Sequence, residues 1–90
     1  MKETKFIVKS TSRFKKDYKQ AVRRGLELLD EVITALAMGK KLPEKNRDHE
    51  LSGDWRGHRE CHIQPDWLLI YRVEGDKLML YRTGSHSDLF

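Results

Sequence analysis

The chain has little with which to hold a small domain together covalently. It has a single cysteine, Cys61, so no internal disulfide can form, and only two prolines. Long apolar runs are missing as well. The longest, Trp67 to Tyr71, falls far short of the ~20 residues of a membrane-spanning helix, and the N-terminal MKETKFIVK lacks the apolar core of a signal peptide. There is no internal repeat and no low-complexity tract. A disulfide scaffold, a membrane protein and a solenoid are thereby set aside, and one cytoplasmic domain over residues 1–90 is expected. With 38% hydrophobic and 36% charged residues, the chain can build one compact core but no cleft between domains.

The two halves differ in what they carry. Residues 1–41 hold eleven Lys/Arg against five Asp/Glu, and residues 42–90 hold seven against nine. The first 40 residues contain no His, Trp or Cys, whereas all four histidines, both tryptophans and Cys61 fall later. Charge is concentrated early and reactive chemistry late.

Lys5 to Lys9 reads as a short β-branched strand, followed by capping hydroxyls at Ser10-Thr11-Ser12. Phe14, Tyr18, Ala21 and Val22 mark one face of a helix over Arg13–Arg24. Its other faces crowd Arg13, Lys15, Lys16, Lys19, Arg23 and Arg24 around a single acid, Asp17. Such like-charge crowding weakens an isolated helix by a few tenths of a kcal/mol per pair and favours a polyanionic surface as partner. Leu26 to Met38 is a second amphipathic helix, set off by Gly25 and Gly39. Lys40 to Asp54 reads as a loop that carries His49. Alternation over Arg56–Ile63 predicts a strand with His58, Glu60 and His62 on one side and Arg59, Cys61 and Ile63 on the other. Strands over Asp66–Val73 and Lys77–Thr83 follow, separated by turns. The order β-α-α-β-β-β predicts an α+β domain, with a helical hairpin on one face of a small antiparallel sheet and the other face open.

Three chemistries suit these residues. Zinc would draw on His58, His62, Cys61 and His86, but Cys61 and His62 point to opposite faces of a strand, and no second cysteine completes a common set. A metal-free ribonuclease needs a base for the 2′-hydroxyl proton, an acid for the departing 5′-oxygen and cations for the phosphorane-like charge. His49, His62, Asp66 and His86 suit the proton transfers, and Arg82 can grip a phosphate with two donors. Trp67 and Phe90 offer planes for bases, although a tryptophan in an apolar strand is as readily a core residue. The alternative is a non-catalytic RNA- or ribosome-binding module built on the basic helix, which leaves the histidines without a role.

DHELSGDWRG (Asp48–Gly57), RECHIQPDWLLIY (Arg59–Tyr71) and YRTGSHSDLF (Tyr81–Phe90) together resemble the RelE superfamily of toxin endoribonucleases, in particular its YafQ-type branch, over essentially the whole chain. The resemblance implies a microbial RNase fold and cleavage of mRNA in the ribosomal A site without a cofactor. It also implies a cognate antitoxin, through which alone operator DNA would be bound. Residue by residue, it implies site roles for His49, His62, Asp66, Trp67, Arg82, His86 and Phe90, and leaves open which group is base and which acid. Arg13, Lys15, Lys16, Lys19, Arg23 and Arg24 would hold ribosomal RNA. Loss of the last five residues is expected to cost activity more than stability.

Overall fold

A computed structural model describes residues 5–90. In chain order its elements are β1 (Ile7–Ser10), α1 (Ser12–Arg23), α2 (Glu27–Ala37), β2 (His49–Glu50), β3 (Arg59–Gln64), β4 (Trp67–Glu74), β5 (Lys77–Gly84) and α3 (His86–Leu89). The α+β architecture and the order of its main elements are those expected from the sequence. The five strands lie in the order β1-β5-β4-β3-β2.

The Thr11 side chain starts α1 by accepting from the Phe14 N–H at 3.0 Å, while its hydroxyl donates to the Tyr81 carbonyl at 2.9 Å. One residue thus caps the helix and fastens it to β5. Gly25, at φ +67, takes the left-handed conformation that turns the chain between the helices. Glu27 and Asp30 lie in the first turn of α2, where its dipole favours acids, and the Tyr18 hydroxyl donates to Asp30 across the gap between the helices.

Phe14 and Ala21 from α1 and Leu29, Val32 and Leu36 from α2 pack on Cys61, Ile63, Trp67, Leu69, Tyr71, Leu78 and Leu80. These sheet residues alternate along their strands, so Leu68 and Ile70 of β4 point to the opposite face. That face is not left open, as the alternation suggested. Leu89 of α3 closes over Leu68 and Ile70, and Leu51, Trp55 and Tyr81 flank them. An apolar pair in mid-sheet needs cover, and α3, which the sequence reading did not include, supplies it.

Four further details differ from expectation. β1 joins β5 in parallel, through Ile7–Lys77 to Ser10–Leu80, rather than extending an all-antiparallel sheet. The 40–54 segment is not one loop, since it contains a 3-10 turn at Glu44–Asn46 and the edge strand β2, paired to β3. β3 starts at Arg59 rather than Arg56. Finally, β5 carries a bulge: Ile70 faces Arg82 and Tyr71 faces Leu80, so Tyr81 is an extra residue in the ladder.

Candidate active site

On the sheet face opposite α1 and α2, register brings the reactive side chains together. His49 lies opposite Glu60, Glu60 opposite Ile70, and His62 opposite Leu68, so His49, Glu60 and His62 share the side of Leu68 and Ile70. Asp48 fixes the approach to His49. Its carboxylate accepts from the Tyr71 hydroxyl at 2.7 Å and from Arg59 Nε at 3.0 Å. Burial, with Asp48 beside it, raises the Tyr71 phenol well above its usual range, so the bond keeps its proton on tyrosine. Asn46, buried, donates to the His62 carbonyl at 2.7 Å and pins β3 from the other side.

Glu60 is 5% exposed and lies beneath both imidazoles, with its Oε1 3.4 Å from His49 Nε2 and 3.5 Å from His62 Nε2. His49 Nδ1 is 3.1 Å from the Glu50 carbonyl, so both nitrogens of the ring face oxygen acceptors. A neutral ring can donate to only one of them. The donor atoms of His49, Glu60 and His62 lie within 4.8 Å of one another, making this trio the group among the described residues able to hold a divalent ion.

Asp66, in the turn before β4, is 3.4 Å from His86 Nδ1 and equally far from the His86 N–H. Ser85 caps α3 in a capping box with Asp88, which places His86 at the first helical position. The His86 ring centre is 5.7 Å from that of His62 and 6.5 Å from that of Phe90. His49, Glu60, His62, His86, Asp66 and Phe90 therefore form one band of proton-transfer groups with an exposed aromatic at its end. A cavity of about 420 Å³ opens beside His62, walled in part by Lys45 and Arg47. These cations and Glu60 were not assigned roles from sequence. The charged run Lys45-Asn46-Arg47-Asp48 immediately before His49 was the available signal.

Other expected members lie elsewhere. Trp67 is 3% exposed and belongs to the core, with Arg24 5.0 Å over its ring, so it offers no free face to a base. Its place between the helices and the sheet explains the change of role. Arg82 does not contact the histidines. Its Nε and Nη2 bind the Asp17 carboxylate at 2.7 and 3.2 Å, a pairing that raises its already high pKa. His58 precedes β3 and lies on the same side of the sheet as Glu60 and His62, but its ring is held edge-on between Trp55 and Tyr81, with ring centres at 5.3 and 4.4 Å. Cys61 is fully buried on the helix side, and burial pushes its thiol up to about 12. The four zinc candidates of the sequence reading are thus dispersed. Arg13, Lys15, Lys16, Lys19, Arg23 and Arg24 are all exposed, and none forms an ion pair among the described residues.

Residues 6–90 match the model of the family described as the bacterial toxin of type II toxin-antitoxin system, YafQ. The chain is 36% identical over 86 residues to the mRNA interferase toxin YafQ of Escherichia coli (strain K12), covering 92% of this chain and 94% of that protein. The fold superposes on YafQ in the crystal structure of the E. coli DinJ-YafQ toxin-antitoxin complex with a TM-score of 0.86, at 35% identity, over 96% of this chain and 98% of that one. A copper-bound mutant toxin from Helicobacter pylori gives a TM-score of 0.87 at 40% identity, over 94% and 99%. With the sequence matched almost end to end and the fold matched at this identity, the chain belongs to the YafQ family of bacterial toxins of type II toxin-antitoxin systems.

Proposed function

We propose that the chain is the toxin of a type II toxin-antitoxin module, an mRNA interferase that acts on ribosome-bound message in the cytoplasm and is neutralised by a cognate antitoxin. Operator DNA would be met only through that antitoxin. The observation that carries this reading is the band His49–Glu60–His62–His86, with Asp66 and Phe90, on the sheet face opposite α1 and α2. A buried carboxylate, three imidazoles and an exposed carboxylate supply bases and acids within one patch. The substrate 2′-oxygen attacks phosphorus as a basic group in the band takes its proton. The bond to the 5′-oxygen breaks as an acidic group protonates it, and the message is cut without a protein nucleophile. Arg82 stabilises charge on the phosphoryl oxygens and Phe90 steadies a base. The E. coli relative occurs in complex with DinJ, which supports a protein antitoxin as partner here. The exposed cations of α1 supply the grip on ribosomal RNA.

Expression of the chain should arrest growth, and His86→Ala should relieve the arrest while melting at the wild-type temperature. Mapping of mRNA 5′ ends in a translating extract should show new ends with the wild type and none with the variant. Equal toxicity of the two proteins would remove His86 from the mechanism, and intact messages would favour a binding module. The spacing of His49, Glu60 and His62 supports a second reading, in which a divalent ion on this trio takes part in cleavage. Cleavage that persists in a chelator favours the metal-free route, and cleavage lost in a chelator and restored by added metal favours the second.

A further inference from the structure

Asp17 is the lone acid of α1 among five cations, with Arg24 a sixth at the C-cap, and aspartate is a poor residue for a helix interior. Its carboxylate is committed on two sides. It binds Arg82 through Nε and Nη2 at 2.7 and 3.2 Å, and it accepts from the Thr83 backbone N–H at 3.2 Å. Both charged side chains are about five-sixths buried, at 16% and 15% exposure for Arg82 and Asp17, so this is no floppy surface pair. β1 pairs with β5 only as far as Leu80, and Thr11 and Asp17 of the α1 segment take up the exposed backbone edge beyond it.

A guanidinium is a planar fork with two edges, each able to hold an oxyanion by two parallel bonds. Asp17 occupies the edge formed by Nε and Nη2, and no described residue accepts from Nη1. We propose that Asp17 is a positioning residue of the nuclease: by clamping one edge of Arg82 to the β5 backbone, it presents the other edge to the reacting phosphate. The proposal rests on the phosphate role given to Arg82 above. It also carries an opposing term, because the negative charge of Asp17 offsets part of the pull of Arg82 on an anion. Loss of Asp17 should therefore slow the chemical step without weakening binding, the reverse of what loss of a phosphate-binding cation would do.

The test is the rate of cleavage of a defined mRNA in a reconstituted translation mixture, measured against toxin concentration and normalised to folded protein by thermal melting. Asp17→Asn should lower the maximal rate about 10- to 100-fold, as a misplaced catalytic group does, with the half-saturating concentration unchanged or lower. Asp17→Glu keeps the ion pair but shifts the clamp by one methylene. It should melt like the wild type and still cut more slowly, whereas a purely structural pair would leave its rate intact. Adding Asp17→Asn to Arg82→Ala should cost nothing further. A wild-type maximal rate in Asp17→Glu, or losses that multiply in the double variant, overturns the positioning role while leaving Arg82 in place. An Arg82→Ala protein that cuts at full rate overturns the phosphate role and this inference together.

Discussion

At the residue scale the determining feature is a carboxylate under two rings. Glu60 has both imidazoles on one oxygen and is almost shut off from water. It holds the Nε2 atoms of His49 and His62 against one oxygen and so orients both rings. Glu60→Gln keeps the shape and removes the charge. Single-turnover cleavage should fall by roughly 10-fold or more, while the melting temperature changes little; an unchanged rate would reduce Glu60 to a packing residue. The histidines and Asp66 were legible in the sequence because imidazole is rare on an ordinary solvated strand. Glu60 and Asp17 were not, because an isolated acid looks the same whether it faces water or a partner 65 residues away. The place of Trp67 was not legible, for the converse reason. An indole in an apolar strand carries no local mark that separates a core ring from a stacking platform, and only the packing of α1 against the sheet decides it.

At the scale of elements, α1 joins two tasks: it packs Phe14 and Ala21 into the core and turns Arg13, Lys15, Lys16, Lys19 and Arg23 outward. Reversing Lys15, Lys16 and Lys19 to Glu leaves the packed face untouched. Ribosome association should weaken steeply and its dependence on salt should flatten, as fewer counterions are released on binding. An unchanged salt slope in a sedimentation assay would make the helix a solvated face only. Helices were legible to within a residue or so, since the 3.6-residue period of Phe14, Tyr18 and Ala21 is long enough to see. β2, with two residues, carries no period at all, and its existence depends on pairing with β3. The parallel placement of β1 depends on contacts some 70 residues apart. α3 left one visible trace, the Ser85-x-x-Asp88 capping box, but four residues offer no apolar repeat to confirm it.

At the scale of the whole molecule, the C-terminus belongs to core and site alike. Loss of the last five residues, expected from sequence to harm activity more than stability, now carries both costs. It removes His86 and Phe90 from the band and uncovers Leu68 and Ile70, on which the buried Leu89 sits. Burial of one leucine is worth about 2 kcal/mol, so the truncated protein should melt roughly 10 °C lower, whereas Phe90→Ala, at an exposed position, should lose activity at an unchanged melting temperature. The bulge at Tyr81 has a consequence for how this sheet tolerates change in length. Leu78 and Leu80 lie on the helix side at even positions, yet beyond the extra residue it is Thr83, opposite Leu69, that is buried. β5 is thus two segments of opposite parity, a half that holds β1 and a half that carries Arg82 and Thr83 to Asp17. Removal of one residue elsewhere in β5 turns over every side chain to one side of the gap. At Tyr81 it turns over none, so a one-residue change at this joint leaves every other side chain of β5 on its own face.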